Sequence, residues 1–236
     1  MNITPFSIII PIYNEEDNIL NLYNEINKSF FDNQINFYEI IFVDDCSIDN
    51  SNKIIKNLLD NDLKIKLIRN DLNCGQSYSI TKGIQNSSNN TIVTIDGDGQ
   101  NNPFDILKLL KFYSDSQYKL IGGLRNKRKD PLIKIISSKL ANKVRSFILK
   151  DNCTDTGCGL KIFDKEIYMS FEYFNGIHRF LPALFKGYGY NTTFLKVDHR
   201  QREFGYSNYG IGNRLFRGIR DMIKVRNIIK RNQNHG

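Results

Sequence analysis

The chain has 236 residues, 40% of them hydrophobic and 25% charged, a composition typical of a globular protein. This length favours one domain with a short appendage, and no apolar run reaches the roughly 18 residues of a membrane-spanning helix. The net charge of +8 favours an anionic partner, which could be nucleic acid, a phosphorylated substrate or a membrane surface. A solvated basic face without a role would give the same total.

The amino terminus, Met1-Asn-Ile-Thr-Pro5, lacks the positive start and the cleavage site of a signal peptide. The four cysteines show no metal-binding spacing and are too few to indicate a disulfide framework. These features predict a reduced, cytoplasmic protein.

Strands and helical segments alternate along the first half of the chain. The β-rich apolar run Phe6-Ser-Ile-Ile-Ile-Pro-Ile-Tyr13 comes first, and Pro11 is expected to end the regular strand. The predicted strands 39–43, 64–68 and 91–95 follow, separated by segments with apolar residues at helical spacing. This alternation predicts a mostly parallel sheet flanked by helices, with ligands bound beyond the carboxyl ends of the strands.

The turn Asp96-Gly-Asp-Gly-Gln100 follows the fourth predicted strand, and its two carboxylates gain meaning only with a nucleotide pocket before them and cationic groups after them. Glycines at 97 and 99 allow both carboxylates to face one point. Two hard oxygen ligands with free coordination positions suit Mg²⁺ or Mn²⁺ held jointly with a substrate diphosphate. An ordinary Asp-Gly turn is the alternative. The chain has no Gly-x-Gly-x-x-Gly after its first strand and no Gly-x-x-x-x-Gly-Lys loop, which disfavours nicotinamide enzymes and P-loop NTPases.

Three motifs in this order, Ile10-Pro-Ile-Tyr-Asn-Glu15, Val43-Asp-Asp-Cys-Ser47 and Asp96-Gly-Asp-Gly-Gln100, resemble those of family 2 glycosyltransferases. More narrowly, they resemble the dolichol-phosphate mannosyltransferase group, over roughly residues 6–210. The resemblance implies an α/β fold of the Rossmann-like GT-A type. It also implies a nucleoside pocket lined by Pro11, Tyr13, Glu15, Val43 and Asp45. Metal and diphosphate would be held by Ile95, Asp96, Gly97, Asp98 and Gln100, with Asp96, Asp98 and Gln100 as the metal ligands.

The second half of the chain adds cationic groups. A helix is expected to begin at 102–105 with Phe104, Leu107 and Leu110 facing inward, followed by a strand, 119–125, that delivers Arg125. A long helix is predicted from about Pro131 to Leu149. Its polar face would carry Lys134, Ser138, Asn142 and Arg145, and its buried face Ile136, Leu140, Val144 and Phe147.

In the family resembled, an arginine matching Arg125 contacts the sugar nucleotide, and an arginine four residues before a serine holds the acceptor phosphate. This chain has Lys134 in place of that arginine, before Ser138, so the charge is kept and the bidentate geometry is lost. An exposed lysine without a role is the alternative. The segment 197–210 resembles a substrate-covering loop, in which Arg202 would contact the donor and Asn208 replaces the usual lysine.

Two further segments resemble parts of the family. Asp155-Thr-Gly-Cys-Gly-Leu-Lys161 resembles a segment that returns to the sheet, and Asp155 either acts in the site or caps the glycine turn. His178-Arg-Phe-Leu-Pro-Ala-Leu184 resembles a helix beside the donor site. A structural role is expected for His178.

The chain is expected to divide into a catalytic domain, 1–210, and a basic amphipathic helical tail, 211–236. The tail has an apolar stripe at helical spacing, formed by Ile211, Leu215, Phe216, Ile219, Met222 and Ile223. Seven cations stand against a single acid, Asp221. Two readings stay open: a helix in the interface of an anionic membrane, or a helix packed on the domain with solvated cations.

The residues and the resemblance together predict a metal-dependent, inverting hexosyltransferase. Its catalytic residues would be Asp96, Asp98, Arg125 and Arg202. The donor would be a nucleotide diphosphate sugar, with GDP-mannose favoured over UDP-glucose, and the acceptor a polyprenyl phosphate. Such a phosphate is already ionised near neutral pH, so no general base is required. The enzyme would lie peripherally on the cytoplasmic face of a membrane and would bind no nucleic acid.

Two other functions are kept as alternatives. One is a family 2 transferase acting on a sugar hydroxyl, which would need a base, with Asp155 as the first candidate. The other is a non-catalytic member of the fold.

Overall fold

A computed structural model of the chain describes residues 3–126, 144–202 and 212–235. Lys134, Ser138 and Asn208, which were predicted to bind substrate, lie outside these ranges, as does most of the helix predicted from Pro131. In the part described, no helix is both long and apolar enough to cross a membrane.

Seven strands form one sheet in the described ranges. They are β1 (Phe6–Ile12), β2 (Tyr38–Asp44), β3 (Ile65–Arg69), β4 (Thr91–Thr94), β5 (Leu120–Arg125), β6 (Lys161–Asp164) and β7 (Thr192–Val197). Their order in the sheet is β3-β2-β1-β4-β6-β5-β7. Strand β6 is antiparallel to both of its neighbours, and the other strands all run in one direction. The predicted mostly parallel sheet is therefore confirmed.

Helices cover both faces of the sheet. They are α1 (Glu16–Phe31), α2 (Ser51–Leu59), α3 (Gln76–Gln85), α4 (Phe104–Ser114), α5 (144–149 within the described residues), α6 (Lys165–Met169), α7 (Leu181–Gly187) and α8 (Gly212–His235), with a 3₁₀ turn at Ile177–Arg179. Helices α1, α2 and α4 pack in one core cluster, and α3, α6, α7 and α8 pack in the other.

Strand β1 explains why its sequence is an unbroken apolar run. Ile8 and Ile10 belong to the core on one face of the sheet, and Ile9 belongs to the core on the other. Because successive side chains of a strand point to opposite faces, a strand covered on both sides has no polar face. The same alternation holds in β2, where Ile40 and Ile41 face opposite cores.

Pro11 does not end β1, contrary to the prediction: the strand continues to Ile12, and Pro11 is paired with Val43 of β2. What ends near Pro11 is the pairing with β4. Its last hydrogen bond runs from the Ile95 N–H to the Ile9 carbonyl, at 3.2 Å. The next rung would need an N–H from residue 11, which proline lacks. The chain after Ile95 is thus free to leave the sheet as the acidic turn.

Two predicted helix faces are wrong in part. Leu107 and Leu110 are buried as predicted, but Phe104 is 40% exposed because it opens α4, and Ile106 and Leu109 take the inward positions. On α5 the predicted buried residues Val144 and Phe147 are 49% and 84% exposed.

Arg145, predicted on the polar face of α5, is buried instead. Its guanidinium binds the Asp151 carboxylate through bonds of 2.5 and 3.1 Å and donates to the Cys153 carbonyl at 2.9 Å. An arginine that is paired in this way can be buried, and its pairing determines which face of the helix turns inward.

Candidate active site

The predicted functional residues that fall within the described ranges lie at or near one edge of the sheet, called here the carboxyl edge. The carboxyl ends of β1, β2, β4, β5 and β7 lie there. Strand β6 runs the opposite way, so it brings its amino end, and with it the segment 155–161, to the same edge. Parallel α/β sheets bind their ligands at this edge.

The acidic turn is held by close backbone packing. A Cβ on Gly97 would lie 2.5 Å from Ile12 Cδ1 and 3.1 Å from the Pro11 carbonyl oxygen, so a larger residue would force the Ile12 side chain to move and would crowd the backbone. Gly99 has a φ of +70°, which favours glycine. The Gln100 N–H donates to Asp98 Oδ1 at 3.1 Å. Both glycines therefore favour the geometry that presents the two carboxylates.

Asp96 is surrounded by groups from three other parts of the chain. Gln76, at the start of α3, donates to Asp96 Oδ1 at 2.8 Å. A Cβ on Gly159 would lie 2.2 to 2.4 Å from the three carboxyl atoms of Asp96, so the carboxylate rests directly on that glycine. Desolvation and the neighbouring Asp98 charge raise the pKa of Asp96 to about 6, although the Lys161 and Arg125 charges act to lower it.

The donor set at this turn fits a divalent cation. Asp96 and Asp98 are close enough for the charge of one to raise the pKa of the other, and they offer oxygen donors only. Two neighbouring carboxyl groups are difficult to ionise together unless a cation neutralises part of their negative charge. Mg²⁺ and Mn²⁺ accept few protein carboxylates together with water and phosphate oxygens. Gln100, the third predicted ligand, is in the same turn, where its side-chain NH₂ donates to the Arg200 carbonyl at 3.3 Å.

Arg125 lies at the end of β5 and is clamped by Asp155. Its Nε donates to Asp155 Oδ2 at 2.8 Å, its Nη2 to Oδ1 at 2.6 Å, and its backbone N–H to Oδ2 at 3.2 Å. A Cβ on Gly157 would lie 2.8 Å from Arg125 Nη2. This bidentate pair fixes the plane of the guanidinium, and both Asp155 oxygens are used in doing so.

Arg202 comes from the segment after β7 and reaches Glu15, after β1. Arg202 Nη2 donates to Glu15 Oε1 at 2.5 Å, and Asn18 donates to Oε2 at 2.7 Å. Desolvation raises the pKa of Glu15, with Asp98 adding to the increase, while Arg202 and Asn18 oppose it. Two residues predicted to contact different parts of the donor are thus bonded to each other beside Asp98.

The base of the predicted covering loop is fastened to the acidic turn. The Arg200 N–H donates to the Gln100 carbonyl at 2.8 Å, and Arg200 Nη1 binds both oxygens of Glu25 at 2.7 and 2.8 Å. Asn101 and His199 form an isolated antiparallel bridge. The segment that leads to residue 203 therefore has a fixed starting point at the site.

The predicted nucleoside residues occupy two kinds of position. Pro11 and Tyr13 are partly exposed at the carboxyl edge, whereas Val43 and Ile95 are fully buried in the two cores. Asp45 is 4% exposed. It accepts from the N–H groups of Cys74 and Gly75, at 2.9 and 2.7 Å, and from the Asn70 side chain at 2.7 Å. Asp45 thus holds the loop that begins α3 and carries Gln76.

His178 lies against the start of α3, and its structural role stays a prediction. Its Nδ1 lies 2.6 Å from Ser77 Oγ, which accepts from the Gly176 N–H at 2.8 Å. Desolvation, with the Arg179 and Lys161 charges, lowers the pKa of His178 well below its usual value. The ring is therefore neutral at physiological pH.

Gln76, Gly159 and Lys161 were not singled out from the sequence, although they surround Asp96. The signal that could have found Gly159 is the second glycine of Gly157-Cys-Gly159, a pattern that marks close backbone approach. Lys161 is 4% exposed, and its Nζ donates to the Cys158 carbonyl. A buried lysine at a sheet edge is rare unless a charge or a carbonyl accompanies it.

Comparisons with known proteins identify the family of the chain. The sequence model described as glycosyl transferase family 2 matches residues 7–171. The chain is 32% identical over 226 residues to a dodecaprenyl-phosphate galacturonate synthase of Rhizobium johnstonii, covering 93% of the chain and 65% of that protein. It is 31% identical over 218 residues to an undecaprenyl-phosphate 4-deoxy-4-formamido-L-arabinose transferase of Yersinia pestis, covering 92% and 66%. The chain thus spans about two thirds of the length of these relatives.

Solved structures show the same fold. Glucosyl-3-phosphoglycerate synthase of Mycobacterium tuberculosis, in complex with Mn²⁺, UDP and phosphoglyceric acid, superposes with a TM-score of 0.68 at 14% identity, covering 94% of this chain and 76% of that one. S. aureus TarS 1-349 with UDP-GlcNAc gives a TM-score of 0.61 at 18% identity, covering 94% and 66%. At these identities the likeness establishes the GT-A fold. With the family match over most of the described sheet and its acidic turn, the chain belongs to glycosyl transferase family 2.

Proposed function

We infer that this chain transfers a sugar from a nucleotide diphosphate sugar to a polyprenyl phosphate, with inversion at the anomeric carbon. Its relatives are named for transfer to dodecaprenyl or undecaprenyl phosphate, which supports this class of acceptor. The observation that carries the proposal is the clamp between Arg125 and Asp155, because it bears on whether the acceptor needs a base.

A sugar hydroxyl as acceptor would need a general base, and Asp155 was the first candidate for it. Both of its oxygens bind the Arg125 guanidinium, at 2.6 and 2.8 Å. A carboxylate held by an arginine in this way is stabilised in its charged form and is a poor proton acceptor. A phosphate acceptor is already ionised and makes no such demand. The clamp therefore favours the lipid phosphate over the hydroxyl.

The remaining groups have roles that follow from where they lie. A divalent cation held by Asp96 and Asp98 would neutralise the charge that develops on the leaving diphosphate. Arg125, fixed in orientation by Asp155, would donate to the diphosphate without reorganising. Arg202 would exchange its bond with Glu15 for a bond with the donor, so that donor binding and the position of the covering loop are linked. Gln76 keeps the Asp96 carboxylate in place throughout.

We propose the donor sugar and its nucleobase less narrowly than the sequence predicted them. Mannose and GDP were favoured by the resemblance, but the relatives are named for galacturonate and for 4-deoxy-4-formamido-L-arabinose. The solved structures described above hold UDP and UDP-GlcNAc. We propose a nucleotide diphosphate hexose or related sugar as the donor, with UDP-linked sugars tested beside GDP-mannose. Either Mg²⁺ or Mn²⁺ is compatible with the oxygen donors of the turn.

The direct test is a transfer assay with the full chain. Each of UDP-galacturonate, UDP-glucose, UDP-GlcNAc and GDP-mannose would be mixed with a short polyprenyl phosphate and Mn²⁺ or Mg²⁺, and the lipid product detected by mass spectrometry. Asp98→Asn is the inactive control. NMR of the product is expected to show the opposite anomeric configuration from the donor. Transfer to a non-phosphorylated sugar at an equal rate would favour the hydroxyl-transferring alternative, and transfer to neither would favour the non-catalytic one.

The acceptor class can be tested at Lys134, which is expected to hold the lipid phosphate. Lys134→Ala should raise the KM for the polyprenyl phosphate far more than the KM for the sugar nucleotide. Lys134→Arg should be tolerated, because it keeps the charge and adds bidentate contact. Equal increases in both KM values would remove Lys134 from the acceptor site.

A lipid acceptor also fixes where the reaction takes place. The phosphate of a polyprenyl lipid lies at the bilayer surface, so the carboxyl edge must approach that surface from the side on which nucleotide sugars are made. We therefore propose that residues 1–210 form the catalytic domain, that it works peripherally on the cytoplasmic face, and that 211–236 assists its approach.

A further inference from the structure

One face of α8 is packed against the domain. Val225 is fully buried, and a Cβ on Gly187 of α7 would lie 2.5 Å from Ile229, so the two helices meet where that glycine leaves room. Asp221 is 4% exposed and accepts from Arg179 Nη2 at 3.3 Å. These contacts fix the rotation of α8 about its own axis, and they determine which of its side chains face outward.

The opposite face of α8 is exposed and mixes apolar with cationic groups. Ile219 and Ile223 are 45% and 55% exposed, and Arg226 and Lys230 are exposed as well. These four residues recur at intervals of four, three and four, so they form one row along the helix. We call this row the exposed stripe. The apolar stripe predicted from the sequence is therefore divided: Ile219 and Ile223 face outward, and other apolar residues make the packing contacts.

The exposed stripe carries positive charge only. Asp221 is the single acid between residues 218 and 233, and it is turned toward Arg179. Over that same stretch, Lys224 and Arg231 pair with Glu172 at 3.5 and 3.0 Å. Arg226 and Lys230 form no ion pair with any described residue. Their charges face the solvent beside the two isoleucines.

Among anionic partners, a lipid bilayer fits this combination. Cations beside apolar side chains are the features of a helix that lies in the interface of an anionic membrane. Two half-exposed isoleucines offer far less than the roughly 1,200 Å² of a stable protein interface, which disfavours a second copy. Between 218 and 233 the helix has no aromatic residue on which a base could stack, which disfavours single-stranded nucleic acid.

One end of the exposed stripe lies toward the candidate active site. Asp221 pairs with Arg179, next to His178, which contacts Ser77 at the start of α3. The isoleucine end of α8 is therefore the end near the carboxyl edge. The other end of the described helix lies at the end of α7, where Gln233 donates to the Gly187 carbonyl at 3.4 Å.

We propose that Ile219, Ile223, Arg226 and Lys230 form a docking surface for an anionic bilayer, while the opposite face of α8 stays packed on α7. The inference rests on the proposed function, which puts the acceptor in a membrane. Docking of this surface would bring the carboxyl edge close to the lipid headgroups. The two readings of the tail are therefore compatible, because the packed face and the lipid face are different faces of one helix.

The test is flotation of the full chain with vesicles of phosphatidylcholine, with and without phosphatidylglycerol, at low and high salt. The unmodified chain is expected to float with the anionic vesicles at low salt and to be released by high salt. Arg226→Gln with Lys230→Gln should weaken partitioning by about fivefold for each cation removed. Ile219→Ser with Ile223→Ser should weaken flotation at low salt, although the charge of the chain is unchanged, because less apolar surface is buried in the bilayer.

Matched controls are available on the other face of the sheet. Lys53→Gln with Lys56→Gln on α2 removes the same charge from exposed positions, and Leu63→Ser removes a fully exposed apolar side chain. These controls should float like the unmodified chain. Equal loss in the α2 variant would mean that overall charge, and not the stripe, causes binding, and the proposal would fall.

Other results would also overturn the proposal. They are flotation with neutral vesicles to the same extent, no flotation at all, or a dimer in solution that Ile219→Ser with Ile223→Ser dissociates. Binding is read without any turnover, so it is independent of the proposed reaction. Conversely, the stripe variants should keep normal transfer to a short polyprenyl phosphate in detergent, where no bilayer is needed. Loss of that transfer would indicate damage to the domain and would count against a surface role.

Discussion

Gly159 gives the sharpest test of the site, because a single methyl group added there would displace the Asp96 carboxylate. A Cβ at this position would lie 2.2 Å from Asp96 Oδ2, 2.3 Å from Cγ and 2.4 Å from Oδ1, whereas ordinary contacts begin at 3.4 Å. Gly159→Ala therefore requires a movement of about 1 Å by one partner.

The carboxylate is expected to move, because the backbone at Gly159 is held on both sides. The Thr94 hydroxyl donates to the Gly159 carbonyl at 2.7 Å, and the Gly123 N–H donates to the Leu160 carbonyl at 2.9 Å. Asp96 has one side-chain bond to lose, the 2.8 Å bond from Gln76. A displacement of about 1 Å in a catalytic constellation commonly lowers the rate by about 10²-fold.

The assay is transfer activity as a function of Mn²⁺ concentration, with the melting temperature measured in parallel. We expect Gly159→Ala to lower kcat by about 10²-fold and to require more metal for half-maximal activity, since Asp96 is an expected ligand. Gly218→Ala is the matched control, because a Cβ there meets nothing within 4 Å. Unchanged activity and metal dependence in Gly159→Ala would refute the reasoning. Such a result would show that the backbone before β6 moves and that the Asp96 carboxylate does not.

Three further results are expected. Asp96→Asn and Asp98→Asn should each lower turnover by orders of magnitude with little change in melting temperature, and excess EDTA should abolish activity of the unmodified chain; full activity in EDTA would exclude the metal. Asp155→Asn should lower kcat/KM by about 10²-fold, because Arg125 loses its charged clamp, while the shape of the pH profile stays the same; loss of the acidic limb of that profile would identify Asp155 as a base. His178 has a pKa below the ordinary 6.5 in the folded state, so its contribution to stability is complete above pH 6.5. It falls as the pH is lowered, by at most about 1.4 kcal/mol per pH unit, because only the unfolded chain takes up the proton. Denaturant titrations from pH 7 to pH 5 should show a smaller decline for His178→Gln than for the unmodified chain.

The fold could be predicted wherever the pattern is local. Strand β1 has apolar residues on both faces, and the acidic turn comes soon after β4 in the chain. Strand β1 and the acidic turn can therefore each be recognised from a short stretch of sequence. Strands β6 and β7 were not predicted. β6 has only four residues, Lys161–Asp164, with charged residues at both ends, which gives neither an alternating nor a continuous apolar pattern.

The parts of the site that escaped prediction depend on contacts between distant residues. Gln76 meets Asp96 across 20 residues, and Thr94 meets Gly159 across 65. A sequence window contains only one partner of such a pair, so its chemistry is not apparent. The buried face of α5 was predicted wrongly for a similar reason. Arg145 can be buried because the Asp151 carboxylate and the Cys153 carbonyl accept its hydrogen bonds.

The clamp between Arg125 and Asp155 has a consequence for how this protein can change over evolutionary time. The two residues are 30 positions apart, and their bond closes the base of the excursion that the chain makes between β5 and β6. Because β6 is antiparallel, that excursion leaves and returns at the same edge of the sheet. Since both ends of the excursion are tied to the sheet in this way, a change of length between them need not alter the strand register or the acidic turn. Lys134 and Ser138, the acceptor residues predicted from the sequence, fall between Arg125 and Asp155 in the chain. Under the proposed function, exchange of this one segment would change the acceptor while the residues proposed to bind the donor are kept.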